Sequence, residues 1–315
     1  MRWLAIGGVL VCAIGGAALW LLDSGGSQGA LKPPVVAPAR ARAGTPPPPP
    51  RDALVLARSL GNVAVGLAAQ RNAGEIRVTA TFVRPDGTGL DGLRVIVTAG
   101  ARRFPAALAC GAGCYSASAR LAGAPTRVAL AVTGRGRAPA TVRFTLPARW
   151  PVDAAPLLRR AERVFARLHS VVYRERLSSG PGFSETSVWR DEAPDRLSYR
   201  SATGDAGVVI GARRWDLVVG GSWKRSLQNP PLALPVVPWG AGAYDVSLLG
   251  SGRLGGRAVV RFSMFEPTTP AWYTVTLDRS SARTLEVDMT ATAHFMQDRY
   301  VAFDTPVRIR PPAGR

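Results

Sequence analysis

Beyond residue 50 this chain has one stretch with helical periodicity and many short runs with strand character, so any fold it adopts there is dominated by β-sheet. The helical stretch follows Asp153, a residue type that caps helix N-termini. It sets Leu157, Leu158, Ala161, Val164, Phe165 and Leu168 on one face and Arg159, Arg160, Glu162, Arg163 and Arg167 on the other. His169 comes next, where an imidazole meets the helix dipole favourably. Strand-like runs then recur at 171–177, 186–190, 195–200, 208–210, 215–219, 223–226, 244–249, 257–265, 272–277 and 284–296. In the last of these, Leu285, Val287, Met289, Ala291, Ala293 and Phe295 alternate with Thr284, Glu286, Asp288, Thr290, Thr292 and His294, which predicts one buried face and one wet face. A single amphipathic helix ahead of an antiparallel meander has to cover the sheet's apolar side.

Residues 51–148 form a separate all-β unit in this reading. Runs at 63–68, 75–83, 93–98, 115–121, 127–132 and 140–146 are spaced by Gly, Pro, Asp and Asn turn signals, and their number and spacing predict an immunoglobulin-like β-sandwich. Gly87, Gly89 and Gly92, and again Gly250, Gly252 and Gly255, spell GxGxxG. Strands rather than helices follow both, so they are read as turn glycines and not as dinucleotide sites. Cys110 and Cys114 bracket Gly111-Ala-Gly113. In an oxidising compartment so short a spacing predicts a local disulfide, and the alternative is a thiolate pair for Cu(I).

The first 22 residues decide the compartment. After Met1 and Arg2 an uncharged run extends from Trp3 to Leu22, which matches the ~20 apolar residues of a transmembrane helix, with Arg2 on the cytoplasmic side. A cleavable signal peptide is the rival, since small residues occur at 27–30, but its apolar region is ordinarily shorter, about 7–15 residues. Cys12 follows Val11 and so lacks the small residue that precedes a lipoprotein cysteine. Residues 23–50 are rich in Pro and Gly and end in the run Pro46 to Pro50, a semi-rigid linker by composition. The chain is therefore read as a single-pass cell-membrane protein with its bulk extracytoplasmic.

Of 315 residues 47% are hydrophobic, enough for packed cores, and the formal net charge is +19. The sandwich region, 51–150, carries +10 of that charge, so attraction to anionic headgroups or polyanions is one expectation and a solvated arginine-rich surface the other. Nucleic acid is not expected as a partner, because the arginines are scattered without clustered aromatics.

Four stretches carry a resemblance: Ala193-Pro-Asp-Arg-Leu-Ser-Tyr199; Val208-Val-Ile-Gly211 with Trp215; Gly221-Ser-Trp223; and Ala293-His-Phe-Met296 with Tyr300 and Phe303. Residues 149–315 resemble the LolA/LppX-type lipoprotein-carrier fold through them. Residues 51–148, with Cys110-Gly-Ala-Gly-Cys114, resemble a YtkA-like domain. The two in this order look like the extracytoplasmic tail of some CopD-type copper-resistance proteins, although this chain has one membrane segment and no multi-helix transport domain, so copper transport by it alone is not implied. The resemblance implies a curved antiparallel half-barrel sheet whose concave face, partly plugged by the helix, accepts acyl chains. Suitable apolar residues are Phe165, Leu168, Trp189, Trp215, Trp223, Trp239, Phe262, Met264 and Trp272, each of which also fits ordinary core packing. Residues 229–242, with four prolines around Trp239, make a long irregular loop that gates such a cavity or lies over it passively.

His294 and Met296, two apart on one strand face, are the alternative soft-metal ligands, and the alternation assigns them to the polar face. No GxSxG, HExxH or Walker A motif stands in a supporting context, and nothing in the sequence brings Glu175, Glu185 and Glu266 together. The expected activity is therefore binding without catalysis and without a cofactor: a lipid, another hydrophobic ligand or a lipoprotein, with an envelope partner protein. Copper handling and a ligand-free scaffold are the alternatives.

Overall fold

The computed structural model describes residues 44–313 apart from 73, 122, 124 and 125. The expected membrane segment 1–22, with Cys12, and the linker as far as residue 43 lie outside the described residues. Among those described, no helix is long and apolar enough to cross a membrane.

Eight antiparallel strands come first: β1 (Leu54–Leu60), β2 (Val63–Asn72), β3 (Glu75–Val83), β4 (Leu93–Ala99), β5 (Arg102–Leu108), β6 (Cys114–Arg120), β7 (Arg127–Gly134) and β8 (Arg137–Thr145). Their order is β1-β2-β3-β6-β5-β4-β7-β8. β5 is the corner. Its first part, Arg102 to Ala106, pairs with β4, while Ala107 and Leu108 pair with β6. The two halves consequently face each other across one core, with Val65, Leu67, Val78 and Phe82 from one side and Val95, Val97, Leu130 and Phe144 from the other.

The second unit opens with α1 (Ala155–Phe165). Asp153 Oδ1 accepts the Ala155 N–H at 2.8 Å, and proline occupies the first turn, where a missing N–H costs nothing. The helix stops at Phe165, short of the expected Leu168, and the exposed His169 contributes its backbone N–H to Asp304 at 2.9 Å instead of capping the helix with its ring. Eleven strands follow: β9 (Ser170–Gly180), β10 (Phe183–Glu192), β11 (Arg196–Ser201), β12 (Ala206–Ile210), β13 (Arg213–Leu217), β14 (Lys224–Leu227), β15 (Tyr244–Leu254), β16 (Arg257–Glu266), β17 (Ala271–Asp278), β18 (Thr284–Ala291) and β19 (His294–Phe303). They form one antiparallel sheet in the order β14-β13-β12-β11-β10-β9-β19-β18-β17-β16-β15. The 11 helical residues span about 16 Å. Yet Leu158, Ala161 and Phe165 share a core with residues of β9 to β12 and of β16 to β19. So short a rod meets strands this far apart in the order because the sheet curls round it, nearly closed.

The expected run 284–296 is in fact two strands. The chain reverses at Thr292 and Ala293, the latter at φ 50°, so that His294 pairs with Ala291 and Met296 with Met289. Directly opposed residues share a face. The reversal thus moves His294 and Met296 from the expected wet face to the face that α1 covers.

The two units are packed together. Val63, Val65, Leu67 and Ala69 of β2 enter the sandwich core, while Ala64 and Ala68 face away and, with Ala53 and Val55, meet Phe265 and Trp272. The described end of the linker is docked as well: Gly89 N–H donates to Gly44 O at 2.7 Å, and the Tyr244 hydroxyl donates to Pro49 O at 3.1 Å.

Candidate functional site

Alternate residues of a strand share a face, and on the helix-covered face of the half-barrel this brings unlike chemistries together. Tyr300 of β19 lies opposite Tyr173 of β9, Tyr173 opposite Trp189 of β10, and Trp189 opposite Tyr199 of β11. Their ring centroids are 5.2, 6.0 and 4.7 Å apart in turn, an unbroken aromatic row across four strands. Tyr199 fits over the backbone of Gly207, where a β-carbon would have no room. Phe165 meets the row edge-on, 5.9 Å from Tyr300, and Trp239 stands 6.2 Å from Phe165, so α1 and the 229–243 segment both rest on it. Glu266, 2% exposed, accepts the Gly240 N–H at 3.0 Å and holds that segment down.

Carboxylates flank the row. Glu175 and Asp298 are register partners on one side of it, and Asp191 lies on the other, two residues from Trp189. Burial raises Glu175 to about 7, the Trp189 indole N–H opposing and the Glu185 carboxylate adding to the rise. Burial alone raises Asp191 to about 7. Asp298 is pushed well above the usual carboxylate range, first by burial and then by Glu175, Asp191 and Asp288. Burial also lowers His294, which favours its neutral form.

Of the residues expected to line a ligand cavity, Phe165, Leu168, Trp189, Trp239, Phe262 and Met264 come together in the core under the helix. Trp215 and Trp223 lie on the opposite face with Val208 and Ile309, beneath the C-terminal segment. Trp272 also faces outward, against the sandwich. Tyr173, Asp191 and Asp298 were not singled out from sequence, and Tyr199, Tyr300 and Glu175, though named there, were not placed together. Their signal is parity: Tyr173-Arg-Glu175, Trp189-Arg-Asp191 and Asp298-Arg-Tyr300 each place an arginine outside and two other side chains inside. A cavity of about 10 Å³, the size of about one water molecule, lies between the end of α1, Asp191, Leu234 and Pro235.

Cys110 and Cys114 are joined, with an S–S distance of 1.98 Å and Cα atoms 5.2 Å apart, so neither sulfur is a thiolate ligand in this form. Among the described residues no group of three or more His, Cys, Asp or Glu side chains is placed to hold a metal ion.

No family model and no curated protein matches the chain. Three solved structures resemble about half of it. One is the lipoprotein LppX of Mycobacterium tuberculosis, 12% identical, covering 49% of this chain and 97% of that chain with a TM-score of 0.37. A second is LprF from Mycobacterium bovis, 12% identical over 50% of this chain and 96% of that chain, TM-score 0.35. A third is a LolA superfamily protein, NE2245 of Nitrosomonas europaea, 10% identical over 51% of this chain and 96% of that chain, TM-score 0.26.

Chemically, the inner face offers a broad apolar surface under a short helix and a proline-rich segment, plus buried acids whose strands carry their arginines on the outer face. Half-buried Glu175, Leu177, His294 and Met296 lie toward one end of that face.

Proposed function

We propose that this chain is a membrane-anchored extracytoplasmic binding protein that takes a hydrophobic ligand between the inner face of the half-barrel and α1. The observation that carries this reading is the covering layer. Among the described residues an 11-residue helix and the 229–243 segment close an apolar face that draws on most of an eleven-stranded sheet, so displacing them exposes one continuous greasy surface. Burying a lipid tail there is worth roughly 25 cal/mol per Å² before ordering costs. The first unit, in the order β1-β2-β3-β6-β5-β4-β7-β8, is in this reading an immunoglobulin-like sandwich that serves as a spacer docked to the carrier unit.

A ligand-free scaffold is the second reading, and the observation in its favour is that the face beneath α1 is packed with the chain's own aromatic and aliphatic side chains. Copper handling rests on less, namely His294, Met296 and Met289 meeting on the inner face. Native mass spectrometry of the full chain, released from a single non-ionic detergent, separates the three. A retained lipid-sized mass supports the carrier, a copper mass that disappears in a His294→Ala, Met296→Ala variant supports the metal reading, and a bare polypeptide mass supports the scaffold.

A further inference from the structure

We infer that the inner face selects a hydrophobic ligand with a cationic, ammonium-type head, received by Glu175 and Asp298 beside the Tyr300-Tyr173-Trp189-Tyr199 row, with Asp191 across the row adding to the negative field. This rests on the hydrophobic-ligand reading above and specifies the ligand's polar end.

Three observations lead there. The acids share one face of three adjacent strands, Glu175 beside Asp298 and Asp191 across the aromatic row. Asp191 and Asp298 are 8% and 5% exposed, and the Oδ1 of each is buried without a hydrogen-bond partner. A carboxylate oxygen out of water with nothing donating to it costs free energy, and a cation that donates hydrogen bonds removes that cost. Lastly, these strands turn their arginines away from the acids. Arg174, Arg176, Arg190, Arg200 and Arg299 all lie on these strands, and each is at a position of opposite parity, exposed on the outer face. The charged groups acting on Asp298 are Glu175, Asp191 and Asp288, carboxylates without exception. An arginine-rich protein with a net charge of +19 therefore keeps the arginines of these strands off the face that carries the buried acids.

That lining discriminates by head group. An ammonium donates to carboxylates through charge-assisted bonds, about twice as strong as neutral ones. A neutral hydroxyl gains only the weaker bond, and a carboxylate or phosphate head is repelled. The apolar remainder of the ligand lies along the aromatic row and Phe262 and Met264, while half-buried Glu175, Leu177 and Met296 give the approach.

The test is calorimetric titration of the full chain at pH 8 with dodecylamine, dodecanol and dodecanoate, each below its aggregation concentration and against a detergent blank. The tails are identical and only the head changes. We expect dodecylamine to bind about tenfold or more tighter than dodecanol, since a hydrogen bond to a charged group contributes about 1.5–3 kcal/mol. Dodecanoate should bind weakest, against the direction that the positive outer surface alone would impose. In a Glu175→Gln, Asp298→Asn variant the preference for the amine should fall to parity while dodecanol binding stays. Equal binding of amine and alcohol, or an amine preference that survives in that variant, overturns the head-group inference and leaves the hydrophobic-ligand reading standing. Absence of binding by all three overturns both.

Discussion

The six-membered ring of Trp272 occupies the space where a side chain on Gly66 would go: a β-carbon at 66 would lie 2.3 Å from the indole Cζ2. On that side the first half of strand β2 presents Ala64, Gly66 and Ala68, a flat stripe that receives Trp272 and Phe265 of the half-barrel. Gly66→Val should push the indole out and loosen the junction between the units, at about 1–3 kcal/mol for an overpacked site. Trp272→Ala should cost about 3–5 kcal/mol by leaving a cavity. Differential scanning calorimetry should show one cooperative transition in the parent and a split or broadened one in both variants. A single unshifted transition in Gly66→Val would show that the junction is not tight.

Within the sandwich, the Tyr115 hydroxyl donates to Leu90 O at 3.1 Å and accepts the Leu93 N–H at 3.0 Å, in a residue 2% exposed. Tyr115→Phe keeps the ring, which meets Phe82 edge-on at 5.6 Å, and orphans two backbone groups. The expected loss is about 1–3 kcal/mol, read as a lower urea midpoint at unchanged slope.

Much of this architecture is legible in the sequence because alternation and turn residues announce it. The strands of the meander, the one helix and its Asp153 start all appear near where periodicity puts them. The hairpin at Thr292 and Ala293 was not legible. Neither residue is a turn former, and the apolar-polar alternation passes through them unbroken, so the reading carried His294 and Met296 to the wrong face. The aromatic row was hidden for another reason. Tyr173, Trp189, Tyr199 and Tyr300 are far apart in sequence and become neighbours only through register, and buried acids such as Asp298 contradict the expectation that inward positions are apolar. Trp215, Trp223 and Trp272 were misleading in the opposite sense, because large apolar residues on the outer face are covered by the C-terminal segment and by the sandwich.

The Cys110–Cys114 bridge closes a small loop against a buried Cys114, 2% exposed. Loop-closure entropy for so short a ring is about 2 kcal/mol. A Cys110→Ser, Cys114→Ser variant should lose about that much in urea unfolding, and adding reductant to the variant should change nothing further. Dodecylamine binding should be unaffected, since the bridge lies in the sandwich, away from the inner face.

The buried acids give the stability a pH dependence whose sign is opposite to that of ordinary salt-bridged carboxylates. Glu175 and Asp191 are raised to about 7 by burial, and Asp298 further in the same direction. In the unfolded chain each ionises near about 4. Between those values the folded state holds protons that the unfolded state releases, so their contribution is fully present below about pH 4 and is lost as pH rises toward 7 and beyond. Each such group accounts for up to about 1.4 kcal/mol per pH unit in that window. The groups facing them, Tyr173 and Tyr300, keep their protons throughout because burial raises both. Asp278, held down to about 2 first by the Ser280 hydroxyl and by Ser281, acts in a separate, strongly acidic window. Urea unfolding at pH 5, 6, 7 and 8 should therefore show falling stability. Asp191→Asn should match the parent near pH 5, exceed it at pH 8 and carry a slope smaller by one proton. Parallel slopes in parent and variant would mean that Asp191 titrates alike in both states and is solvated in the folded protein.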